Sequence, residues 1–227
     1  MDDRHPPEAQ PAMTSGRRFG RGLLWGLLLG VLVAVVAAAL WKTLGGEPRP
    51  EPPPVLVEVG DFTLVDQAGE TVTRDDLLGA PWIADLLFTR CVLACPLMST
   101  KMARLDRELP RVSEQGRDPA VRLVSISVDP EHDTPEVLRE FAAKYDASDR
   151  WLFLTGERDE VIAAAGTEGL RLPFDPNPPL VPLQPGDNIF HSTRFVLVDA
   201  EGRVRGYYES ESSEDLARLR RELATLL

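Results

Sequence analysis

Cysteine is nearly absent from this chain: there are two among 227 residues, Cys91 and Cys95. That scarcity excludes a scaffold stapled by several disulfides, and it excludes a four-cysteine zinc site. Histidine is almost as rare, with three residues: His5, His132 and His191. Basic side chains are in deficit, 25 against 36 acidic, for a net charge of -11. The deficit is confined to the larger part of the chain. Residues 1–46 hold five basic and three acidic side chains, which leaves 20 and 33 for residues 47–227. An acidic domain without a basic stripe argues against nucleic acid as a partner. It suits solubility or a basic protein partner. No internal repeat is apparent, and long apolar runs are missing with one exception.

That exception is residues 23–41, 19 residues without a charge. The run is long enough to cross a bilayer, and Trp25 and Trp41 stand near its ends as interfacial anchors would. Arg17, Arg18 and Arg21 precede it and only Lys42 follows closely, so the positive-inside rule places the N-terminus in the cytoplasm. Ala37-Ala38-Ala39 offers small residues to a signal peptidase, and Arg17-Arg18-Phe19 weakly echoes a twin-arginine signal. The apolar run nevertheless exceeds a usual signal core, which favours a retained anchor. The chain therefore divides into a cytoplasmic tail (1–22), a transmembrane anchor (23–41), a Pro/Glu-rich spacer (42–54) and one globular domain (55–227). This is a single-pass inner-membrane arrangement with the domain on the periplasmic side.

From residue 55 the pattern is α/β. Strands are predicted at 55–59, 62–65, 71–73, 82–88, 121–128, 151–154, 194–198 and 203–208. Helices are predicted at 96–109, from Pro135 to about Tyr145, at 159–165 and at 213–227. Strands alternating with helices, closed by a hairpin and a helix, predict a central sheet with helices on its faces. The cysteine pair falls where a buried strand ends and a helix begins, the edge at which open α/β sheets bind ligands.

Three readings of Cys91-x-x-x-Cys95 compete. A structural disulfide would close a very small loop and remove little unfolded-state entropy. Thiol–disulfide chemistry is favoured by the helix N-terminus and by Arg90, both of which stabilise thiolate. Asp85 interrupts an apolar strand six residues before Cys91: it is either a strand-edge residue facing solvent or support for that reading, since the thioredoxin family carries a buried proton-relaying acid at the same offset. A soft-metal site is the third reading, because two thiolates one helical turn apart can face the same way and imidazole suits copper. Met98 and Met102 are spare thioether donors or, more simply, helix packing. His5 and His132 lie in polar surroundings and read as solvated.

Three further stretches act together. Phe88-Thr89-x-Cys91-x3-Cys95-Pro96 is followed by Ser125-Ile126-Ser127-Val128-Asp129-Pro130-x2-Asp133-Thr134-Pro135. His191-Ser192 then precedes a strand ending in Asp199-x-x-Gly202. In this order they resemble the Sco/SenC family over about 55–227. The resemblance implies a thioredoxin-like fold in which Cys91, Cys95 and His191 bind a copper ion. It also implies delivery of copper to the binuclear copper site of cytochrome c oxidase subunit II, or reduction of that subunit's cysteines. The alternative is an exported thiol–disulfide oxidoreductase using Cys91 and Cys95, with Asp85 as proton relay. The chain departs from the family pattern at Val92, where proline is usual, and at Phe190, where aspartate is usual.

Overall fold

Six residues that are buried throughout, Trp82–Leu87, form the strand on which the domain is built. In the computed structural model, residues 19–44, 51–92, 94–112, 116, 119–175 and 189–227 are described. The chain separates into two units, Met1–Arg49 and Pro50–Leu227.

In the first unit, helix α1 spans Phe19–Leu44. Its segment Gly22–Trp41 has a mean hydropathy of 2.7 and is unburied, so it is long and apolar enough to cross a membrane. Arg17 and Arg18, and most of the expected tail, lie outside the described residues, as does part of the spacer.

In the second unit the strands are β1 (Val57–Glu58), β2 (Thr63–Val65), β3 (Thr71–Thr73), β4 (Trp82–Leu87), β5 (Arg122–Ser127), β6 (Trp151–Leu154), β7 (Arg194–Val198) and β8 (Arg203–Glu209). The main sheet has the order β1-β8-β7-β4-β5-β6, while β2 and β3 form a separate hairpin. β4, β5 and β6 run parallel; β7 is antiparallel to β4, and β8 to β7. Central β4 is apolar on both faces apart from Asp85 because both faces are covered. Near the sheet's edge β8 alternates half-buried and buried positions instead.

Among the described residues four α-helices flank the sheet: α2 (Ala94–Glu108), α3 (Pro135–Lys144), α4 (Arg158–Ala165) and α5 (Ser213–Ala224). Thr134 caps α3 by accepting from the Val137 N–H, with Pro135 in the first turn. α2 starts at Ala94, two residues before the predicted start at Pro96. The first four N–H groups of a helix have no partner within it, so a proline in the first turn costs no hydrogen bond. Cys95 is thereby inside the helix rather than ahead of it.

A buried ion pair fixes the far half of α2. Arg150 donates from Nε to Asp106 Oδ1 at 2.8 Å, and both side chains are almost fully buried. The same guanidinium donates to the Pro110 and Leu109 carbonyls, and Ser148 donates to Asp106 from its N–H and hydroxyl. The charge is thus paired and its remaining donors are used, the condition under which a buried pair persists.

Candidate metal centre

β4 ends at Leu87 and the chain turns through Phe88, Thr89 and Arg90, with the Cys91 N–H donating to the Phe88 carbonyl at 3.2 Å. Asp133, fully buried in the loop between β5 and α3, holds this turn. It accepts from Thr89 N–H at 3.0 Å, from Thr89 Oγ1 at 2.5 Å and from Ser127 Oγ at 2.5 Å. Burial pushes the Asp133 carboxyl above the usual range, while the Ser127 and Thr89 donors pull the other way. Next to it, Arg90 donates to Asp129 from Nε at 3.0 Å and from Nη2 at 2.5 Å. The cation beside Cys91 is therefore directed at a carboxylate.

Cys91 and Cys95 are both buried and not bridged to each other. The Cys95 N–H donates to Cys91 Sγ at 3.4 Å, so the start of α2 points a backbone dipole at that sulfur. His191 arrives from far along the chain. Residues 174 and 191 form an isolated antiparallel bridge, and the Asp175 N–H donates to the Phe190 carbonyl at 2.7 Å. The buried His191 ring packs edge-on against Phe88 at 5.7 Å. Its Nδ1 lies 2.9 Å from the Ser192 carbonyl, which only accepts, so the proton sits on Nδ1. Nε2 then presents its lone pair to Cys95 Sγ at 3.2 Å. The Cys95 thiol is pushed well up, chiefly by the hydrogen bond with Cys91 and then by burial. It therefore stays protonated, with Cys91 and His191 Nε2 as its neighbours.

Sγ of Cys91, Sγ of Cys95 and a ring nitrogen of His191 all lie within 4.8 Å of one another. Two soft sulfurs and an imidazole, buried at one mouth, form a donor set suited to a thiophilic ion.

Asp85 lies on β4, opposite Ser125 of β5 in the sheet register. It is buried and neither carboxyl oxygen has a hydrogen-bond partner. Burial is the main cause and pushes it up to about 7; the Ser125 hydroxyl opposite accepts from Trp151 Nε1 at 3.0 Å. Met98 and Met102 are buried in the core cluster, which favours the packing reading. His132 belongs to the turn before α3, where its N–H donates to the Asp129 carbonyl. His5 and residues 176–188 lie outside the described residues. The holding roles of Thr89, Ser127 and Asp133 were not read from the sequence, although all three stand within its recognisable motifs. A buried Ser-x-x-x-x-x-Asp pair following a strand was the available signal.

A mixed sheet flanked by helices, with a Cys-x-x-x-Cys pair at a strand-to-helix turn and a histidine closing over it, is a thioredoxin-like domain carrying a Cys-Cys-His cluster. The SCO1/SenC family model matches residues 52–226, and the chain belongs to that family. A SCO1 protein homolog of Bacillus subtilis is 35% identical over 153 residues, covering 66% of this chain and 73% of the relative. BsSco, a member of the Sco family of cytochrome c oxidase assembly proteins in which a disulfide switch was identified, superposes with a TM-score of 0.57 at 30% identity, covering 78% of this chain and 98% of that one. Yeast Sco1 with copper bound superposes with a TM-score of 0.56 at 30% identity, covering 72% and 87%.

Proposed function

We propose that this protein is a membrane-anchored copper chaperone. Its cargo is a copper ion held by Cys91, Cys95 and His191, and it delivers that ion to the binuclear copper site of cytochrome c oxidase subunit II. The convergence of two sulfurs and one imidazole nitrogen within 4.8 Å, at a buried mouth, carries the reading. The copper-bound yeast relative and the assembly role of BsSco support it. Loading displaces thiol protons, since the thiolate is the ligand. Phe88 and the Ser192 carbonyl orient the imidazole, and the Thr89–Asp133–Ser127 cluster holds the turn bearing Cys91. Three donors leave room for a ligand from the acceptor, so the ion can pass by exchange without ever being free.

The unpartnered Asp85 favours a second reading, a thiol–disulfide oxidoreductase. Here Cys91 and Cys95 become a disulfide as a partner disulfide is reduced to two thiols, with Asp85 relaying a proton. His191→Ala separates the two. Under the copper reading, Cu(I) affinity measured anaerobically against a competing chelator falls at least about tenfold, whereas thiol–disulfide exchange continues near the native rate. Unchanged copper affinity would overturn the ligand assignment.

A further inference from the structure

The acidic domain keeps few large apolar side chains on its surface. Outside α1, the described exposed ones are Val55, Leu56, Val92, Leu97, Val112 and Phe190. Three of these adjoin the cluster in sequence: Val92 follows Cys91, Leu97 is two residues beyond Cys95, and Phe190 precedes His191. They are 62%, 58% and 63% exposed, while the three donors beside them are buried. Exposed aromatic and aliphatic side chains gathered around a functional mouth mark an interaction surface rather than a random scatter. Two of them, Val92 and Phe190, are the positions at which this chain departs from the pattern of its family.

We infer that Val92, Leu97 and Phe190 form the docking rim for the acceptor, and that the acceptor presents a cysteine-bearing loop with apolar side chains beside its cysteines and basic residues farther out. This rests on the proposed transfer function. The donors are buried, so an acceptor sulfur reaches them only when its own backbone closes over the mouth, and the side chains it then meets are apolar. Arg90, the cation nearest Cys91 in sequence, is engaged by Asp129 and offers no strong attraction for an acidic loop. The domain as a whole is negative, with 33 acidic against 20 basic residues in 47–227, which draws a basic surround on the acceptor. In the exchange each new Cu–S bond replaces one to Cys91 or Cys95. The proton leaving the acceptor thiol passes to the released cysteine, and copper stays Cu(I).

The test uses the full chain in detergent, loaded anaerobically with Cu(I), and two synthetic Cys-x-x-x-Cys peptides with lysines at their ends. One peptide has leucine and phenylalanine beside its cysteines, and the other has serine there. The apolar peptide should remove copper from the native chain at least tenfold faster than from a Val92→Ser/Phe190→Asp variant. The serine peptide and glutathione should not distinguish the two proteins. Either single substitution should give an intermediate rate, which guards against a misfolded double variant. Equal removal by the apolar peptide from native and variant chains would overturn the inference, as would a variant slowed equally towards glutathione. A native chain that does not load copper would count against the transfer function instead. In that case the same peptide preference is read from thiol–disulfide exchange with the oxidised Cys91–Cys95 pair, and its absence there would overturn the docking rim.

Discussion

At Cys95 a proton and a metal ion compete for one sulfur. The hydrogen bond with Cys91 and burial keep that sulfur protonated, and His191 Nε2 lies 3.2 Å from it. A thiophilic ion would replace the proton and gain the same two neighbours as co-ligands. Asp85 holds the other proton of consequence. Its carboxyl is raised from the ordinary 3.8 to about 7, with burial as the main cause. The folded state therefore binds this proton more tightly than the unfolded chain does, and stability falls as pH rises from 3.8 to about 7. Asp85→Asn mimics the protonated acid. The metal-free variant should match the native protein in acid and exceed it above neutrality by up to roughly 4 kcal/mol, read from urea unfolding at both ends of that range. A constant difference across the range would show that Asp85 is not held neutral in the folded protein.

At the scale of elements, the site depends on where α2 starts and how firmly it is held. The order of strands and helices in the domain is legible in the sequence, through the apolar runs of β4 and β5 and the Thr134–Pro135 start of α3. Boundaries drifted where two rules competed. Pro96 marked a plausible helix start, yet a proline is tolerated anywhere in the first turn, so α2 begins at Ala94. The last helix opens at Ser213 as expected, with the Ser212 hydroxyl capping it by accepting from the Asp215 N–H at 3.1 Å, and it ends at Ala224 rather than Leu227. The approach of His191 to Cys95 spans 96 positions and has no local signal at all. It was foreseen only through the family resemblance. The Asp133 cluster stayed unread because a hydrogen bond between two loops leaves no periodicity. The Asp106–Arg150 pair anchors α2 at its other end. Asp106→Ala leaves a buried guanidinium uncompensated and should cost about 3–5 kcal/mol in chemical denaturation. A loss below about 1 kcal/mol would mean that Arg150 finds another partner or reaches water.

At the scale of the whole molecule, an apolar helix and an acidic domain share one chain. Length and composition made the helix legible, and Gly22–Trp41 meets the requirement for a span. The charges that bear on sidedness are three arginines before the run and Lys42 after it. We propose the order of cytoplasmic tail, anchor, spacer and periplasmic domain. Protease added to spheroplasts should then digest the domain while leaving the anchor fragment in the membrane; a protected domain would reverse the orientation. In this proposed orientation the cluster faces the same side as the proposed exported acceptor, as the central claim requires.

That claim is that one copper ion sits on two sulfurs and one imidazole nitrogen. X-ray absorption at the copper edge counts those atoms directly in the Cu(I)-loaded full-length protein. The account predicts two sulfur and one nitrogen neighbours in the native chain, and loss of the nitrogen alone in His191→Ala. An all-sulfur shell that is identical in both proteins would contradict it.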